Sequence, residues 1–178
     1  MELLGGESKV VSAATISPTE KQGILLIREE GKAARDLYLS LYIQHNLSIF
    51  PSIADSEQRH MDSVKVLIDK FGLQDPVQET RGAFTNQSLK ILYDNLLLSG
   101  KMSPEYALKA GANFEELSIL DLQKEIALTN NQDVISVYDG LLAGSQKHLR
   151  SYINALKDLG IGYSPQRLSQ EEFEYAMK

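Results

Sequence analysis

Residues 51–72, PSIADSEQRHMDSVKVLIDKFG, decide how the chain reads. Pro51 suits the opening of a helix and Gly72 its end. Between them Ile53, Glu57, His60, Val64 and Leu67 recur every three to four residues, the period of one helix face. The row is apolar at both ends and carries a carboxylate and an imidazole in its middle. A helix that turns such groups into a core must pair them, hydrogen-bond them or give them to a metal.

The flanking sequence repeats the pattern. Upstream, Ser17-Pro18-Thr19-Glu20 supplies a cap, a proline for the first helical position and a glutamate that can close a capping box. It predicts a helix to about His45, with Ile24, Ile27, Ala34, Tyr38 and Leu41 inward. Downstream, residues 73–85 read as a linker with Pro76 and Gly82. A shorter helix is predicted over about 86–99, with Leu89, Leu92, Tyr93 and Leu96 as its apolar face and Gly100 as its stop. Ser103-Pro104 opens a long helix reaching to near Asn130, with the stripe Leu108, Ala112, Glu115, Ile119, Leu122, Ile126. Asn130 or Asn131 caps the last long helix, which ends at Leu159 before Gly160. Its stripe is Val134, Val137, Leu141, Ser145, His148, Tyr152 and Leu156. Ser169 and Glu172 form a further capping box for a short terminal helix. Residues 1–16 are expected to be a loose lead-in to a single domain over 17–178. No period-two strand stands out, so the expected fold is an all-α bundle of four long helices and a short extra one. Short links make the first two and the last two long helices antiparallel neighbours, and a long crossover joins the pairs.

Composition narrows the chemistry. The 178 residues are 43% hydrophobic and 24% charged, ordinary for a globular domain. Cys is absent, which removes disulfides, thiolate metal sites, iron–sulfur clusters and Cys nucleophiles. The net charge of −6, with no basic stretch, argues against a nucleic-acid or anionic-membrane partner. No apolar run approaches the roughly 18 residues of a membrane span, and the N-terminal stretch lacks the basic start and apolar core of a signal peptide. A cytoplasmic location is expected, with an exported mature form left open. No Gly-rich phosphate loop, nucleophile elbow or catalytic triad pattern occurs.

Glu57, His60, Glu115 and His148 therefore stand on the inner rows of three helices at similar heights. Carboxylate oxygen and imidazole nitrogen suit iron, manganese or zinc, and such groups aimed at a bundle axis make a cage for one. Other polar candidates have plainer readings. His45 is expected as a helix-end cap or an exposed residue, and Tyr38, Tyr93 and Tyr152 as core aromatics with bonded hydroxyls. Arg35-Asp36 is either support for a site or an ion pair, and Glu171, Glu172 and Glu174 a solvated tail.

Four segments carry a resemblance. They are Arg28 to Tyr38 (REEGKAARDLY), Ser56 to Asp62 (SEQRHMD), Phe114-Glu115-Glu116 and Gly144 to Arg150 (GSQKHLR). With the ending Tyr163-Ser164-Pro165-Gln166 and Ser169 to Glu172, the chain resembles a family of prokaryotic ferritin-like proteins over about residues 17–175. The resemblance implies a ferritin-like four-helix bundle, whose wiring has one long crossover. The wider superfamily, with rubrerythrins and bacterioferritins, holds two irons with one Glu from each of two helices and a Glu-x-x-His from each of the other two. By that pattern Glu57 and His60 match the second helix, and Glu115 is the carboxylate of the third. Two positions depart from it. The helix-one ligand would fall at Gly31, leaving Glu30, rotated about 100°, as its substitute. The helix-four Glu is Ser145, leaving His148 alone.

The expected function is metal binding through Glu30, Glu57, His60, Glu115 and His148, with iron-dependent redox chemistry on oxygen or peroxide as its extension. Iron is the expected cofactor, manganese or zinc the alternatives, and one tight ion rather than two. The partners are the ion, an external electron donor if the centre is redox-active, and a second copy of the chain as the candidate protein partner. The alternative is a non-enzymatic helical interaction protein with a decayed site. Cage-type iron storage has nothing in the sequence to specify a shell.

Overall fold

The computed structural model describes residues 15–178. The expected lead-in lies, up to residue 14, outside the described residues. Six helices and no strand are present among the described residues. Helix α1 (Pro18–His45) opens as its sequence demands: Glu20 N donates to Ser17 Oγ, and the Glu20 carboxylate accepts from Ser17 N at 2.7 Å. It ends at Asn46 in the left-handed region, φ 52°. Helix α2 (Ile49–Lys70) starts two residues before Pro51. The proline sits in the first turn, where an amide N–H has no helical partner to lose. Gly72, at φ +62°, lies just beyond the end of α2. Asn86, Ser103, Asn131 and Ser169 cap α3 (Gln87–Gly100), α4 (Pro104–Ala127), α5 (Gln132–Asp158) and α6 (Gln170–Ala176).

Gly100 is not a conformational stop. It is the buried last residue of α3, and a Cβ there would stand 2.7 Å from Leu41 Cδ2. Close approach of α1 requires the glycine. Helix α4 ends at Ala127, three residues short of Asn130, and Thr129 beyond its end donates to Glu20 at the head of α1.

The four long helices pack as a ring. Helix α1 lies on α2 and α4, and α5 lies on the same two, while α3 rests on α1 and α4 and α6 on α5. No described helix is long and apolar enough to cross a membrane. The core divides in two. Ile24, Ile27, Val64, Leu67, Ile68, Leu122, Val134, Tyr138 and Leu141 fill one end. Tyr38, Phe50, Phe114, Leu149 and Tyr152 belong to the larger cluster at the other. Polar residues stand between the clusters on α1 (Glu30), α2 (Glu57 and His60) and α5 (Ser145 and His148), while on α4 Glu115 interrupts the larger cluster between Phe114 and Ile119.

Buried charges on α1 hold the crossover, residues 71–86, against the ring. Glu29 accepts the amides of Thr85 and Asn86. Arg28 reaches Asp75 and the carbonyl of Met61. Lys32 donates to Asp36 at 2.5 Å and to the carbonyls of Thr80 and Ala83, and its side chain is fully buried. Asp36 also accepts from Gly82 N and Arg35, so Arg35-Asp36 is an ion pair whose Asp36 anchors the crossover while Arg35 reaches Gln58 of α2. Removing one partner of a buried pair strands the other. Lys32→Ala should therefore cost about 3–5 kcal/mol in urea unfolding and expose residues 73–86 to protease. An unchanged midpoint would show that the anchor carries no stability.

Candidate metal centre

The polar layer gathers residues from all four long helices. Glu57 and His60 stand three apart on α2, so both project from one face. His60 Nδ1 bonds Glu57 Oε2 at 3.2 Å. Across the ring, His148 Nδ1 from α5 lies 2.8 Å from Glu57 Oε1 and 3.4 Å from Glu115 Oε1 of α4. The two carboxylates thus reach the same imidazole nitrogen. One ligand atom each from Glu57, His60 and His148 lie within 4.8 Å of one another. Atoms each about 2 Å from one ion stand about 3–4 Å apart, so this spacing is compatible with a shared metal. The imidazole rings stack at 5.3 Å.

Supporting groups fix the orientation. His148 Nε2 bonds Ser56 Oγ at 2.9 Å, which directs Nδ1 inward. Tyr38 donates to Glu115 Oε1 at 2.6 Å. A Cβ on Gly144 would overlap His60 Nε2, so α5 needs a glycine there to admit the ring.

Glu30 turns inward despite its offset from Gly31. It is 2% exposed and lines a cavity of about 20 Å³ with Gly31, Glu57, His60, Ser118 and Ser145, room for one water-sized occupant. Gly31 and Ser145, the positions that lack the expected carboxylates, are walls of that cavity. Neither Glu30 oxygen has an aligned donor, although Ser118 and Asp121 lie close enough to act on its carboxyl, and Glu57 Oε1 and His148 Nδ1 are close but not aligned for a bond.

The electrostatics follow from burial and neighbours. Burial raises the Glu57 carboxyl, but the two imidazoles beside it outweigh that and hold it below the usual range. Burial lowers the His148 imidazole, yet the Glu115 and Glu57 carboxylates push it up to about 10. Burial, and then the charge of Glu57, raise Glu115 against the pull of His148. Burial and the Asp121 carboxylate raise Glu30. An imidazolium on His148 is thus the internal counter-charge of the metal-free centre.

The other sequence candidates lie elsewhere. His45 Nε2 bonds the carbonyl of Gly100 at 2.7 Å, serving the end of α3 rather than its own helix. Tyr93 bonds Ser40, while the hydroxyl of Tyr152 has no protein partner, contrary to expectation. Glu172 closes the α6 capping box. Sequence reasoning passed over Ser56, Ser118, Asp121 and Gly144. Small and polar residues carry no periodic signal, and only the facing helix gives them a role.

The profile of a family described as "Uncharacterized protein domain (DUF2202)" matches residues 20–178. The chain is 46% identical over 160 residues to the uncharacterized protein MJ0754 of Methanocaldococcus jannaschii, a span covering 89% of this chain and 86% of the relative. The crystal structure of hypothetical protein MJ0754 from Methanococcus jannaschii matches with a TM-score of 0.90 at 44% identity, over 92% of this chain and 94% of that one.

In chelator-treated protein the His148 contribution to stability should depend on pH in a defined direction. Its folded pKa lies above the unfolded value of 6.5, so the contribution is complete below that value and fades as pH rises towards about 10. Glu57 behaves oppositely. Its contribution is complete above 4.5 and is lost in acid. The stability gap between the parent and His148→Gln should be widest near pH 5–6 and shrink with alkali, as read by urea unfolding at a series of about six pH values. A gap that widens with pH would contradict the assignment.

Proposed function

The chain belongs to the DUF2202 family, and from the centre described above we propose that it is a ferritin-like metal-binding protein whose ligands are Glu57, His60, Glu115 and His148, with Glu30 alongside. One observation carries this reading. The buried carboxylates that hold loops are each met by several donors: Glu29 by the amides of Thr85 and Asn86, and Glu116 by the Tyr163 hydroxyl and the amides of Gln166, Arg167 and Leu168. In the centre, both oxygens of Glu30 are buried without an aligned donor, and Glu57 Oε1 and His148 Nδ1 have each other at 2.8 Å but out of line for a hydrogen bond. Buried polar atoms left unmatched cost free energy. A metal ion, which needs lone pairs and not donor alignment, would recover that cost.

The donor set of carboxylate oxygen and imidazole nitrogen fits iron, manganese or zinc, iron being our first choice. Glu57 and Glu115 supply two negative charges, enough to neutralise one divalent ion. With no carboxylate at Gly31 or Ser145, one tightly held ion is favoured over a stable pair. A bound iron would supply one-electron chemistry towards oxygen or peroxide, with an external electron donor. The chain's own part is to orient His148 through Ser56, to hold Glu115 through Tyr38, and to keep the centre dry between two apolar clusters.

Elemental analysis of protein purified without chelator should find about one such ion per chain. Glu57→Gln and His148→Gln should each lose it. Loss of an ion present at about 100 times its Kd removes about 2.7 kcal/mol, a fall in Tm of about 5–10 °C at this chain length. Ion binding should release the His148 proton, so affinity should rise about tenfold per pH unit below its pKa. A metal-free protein whose Tm is unchanged or raised by Glu57→Gln would instead identify a decayed site.

A further inference from the structure

The seam between α1 and α4 carries acids that the centre does not use as ligands. Glu125 is buried on α4, and its Oε2 occupies the space a Cβ of Gly23 would fill. A glycine in α1 is therefore what admits this carboxylate. Asp121 lies one turn nearer the centre on the same face of α4. It is partly buried; burial and then the Asp121 charge push Glu30 up to about 8, and contact with the Glu30 carboxyl in turn lowers Asp121 against its own burial. Ser118, a further turn inward, lines the cavity with Glu30. At the outer end Glu20 accepts from Thr129. The Tyr138 hydroxyl of α5, 1% exposed and without a protein partner, faces the charges of Glu125, Glu20 and Glu30.

Glu20, Glu125, Asp121 and Glu30 thus form a file of acids from the head of α1 to the cavity, the innermost of which, pushed up to about 8, carries its proton until a cation displaces it. From Glu125 to Glu115 is about 15 Å of helix. Lys124 stands 4.0 Å from Glu125 Oε1 on an exposed stem, and Arg167 bears on Asp121, so the file is only partly neutralised at its flank. Burial raises Glu125, the Lys124 charge pulls it back, and Asp121 raises it again. For stability alone this is a poor arrangement, since amides or apolar side chains would serve better. Walls of low dielectric around charges of one sign concentrate the opposite ion.

We propose that this seam is the loading route of the centre, along which a divalent cation passes from Glu125 and Asp121 to Glu30 and so to the ligands. The inference rests on the metal-binding reading and adds to it the path of entry. Asp121 and Glu125 act on the rate of arrival, and the four inner ligands act on retention. Gly23 acts by leaving the Glu125 carboxylate in the file.

The probe is cobalt(II), whose visible absorption reports entry, mixed with chelator-treated full-length protein in a stopped-flow instrument at low salt. Glu125→Gln, which keeps size and shape, should slow uptake about tenfold, with final occupancy unchanged. Gly23→Ala should do the same by displacing that carboxylate. Added salt should slow the parent more than either variant, and the exposed control Asp94→Asn should load at the parental rate. Parental rates in Glu125→Gln would overturn the route. So would a loss of final occupancy in that variant, which would make Glu125 a ligand. If the parent itself takes up no cobalt, the metal-binding reading fails and the route with it. A parent that loads beside variants equally fast rejects the route alone.

Discussion

The contact between the Glu57 carboxylate and the His148 imidazole is what the rest of the molecule is arranged around. It joins α2 to α5 in the middle of the ring, where a globular core would ordinarily be most apolar. Charge there is costly unless balanced. The protein meets that cost by splitting its core: on α1, α2 and α5 the polar layer parts two apolar clusters, and on α4 Glu115 interrupts the larger of them. Each long helix contributes to the layer at the height where its own stripe is interrupted. The interruptions are in register because the helices are capped at defined residues and joined, within each pair, by short turns.

The remaining buried charges show what the chain does when a charge is structural. Glu29, Lys32, Asp36 and Glu116 each hold a loop by several bonds, mostly to main-chain amides and carbonyls. They tie the crossover to α1 and the segment before α6 to α4. The polar layer differs in kind. Its members face one another across the ring with atoms left unmatched, and small residues at Gly31, Gly144 and Ser145 make space beside them. A network built for rigidity would close these gaps; leaving them open is what the proposed metal site needs.

Much of this was legible beforehand. The helices announce themselves through capping boxes at Ser17 and Ser169, proline openings at Pro18 and Pro104, and stripes of three-to-four spacing. Glu57, His60, Glu115 and His148 stood out because they broke those stripes. What periodicity could not see were residues whose role depends on a neighbour distant in sequence. Gly100 read as a stop and proved to be a contact with Leu41. Lys32, Glu29 and Glu116 received no role from the sequence, because nothing local tells a charged residue that a loop of amides and carbonyls will fold over it.

The sequence by itself determined the all-helical class, the order and approximate ends of the helices, and the identity of the polar residues on their inner faces. Local propensity, capping and period are written within one or two turns of chain, so they can be read there. Only the tertiary structure decided that Glu30 turns into the cavity although Gly31 marks the expected register, and that Glu57 and Glu115 share one imidazole. The same holds for the acids Asp121 and Glu125, which stand in file with Glu30 across the α1–α4 seam. Those facts depend on the distances and rotations between helices. These are set by side chains such as Leu41, Met61 and Tyr152 packing against glycines on a facing helix, and no single stretch of sequence contains both sides of such a contact.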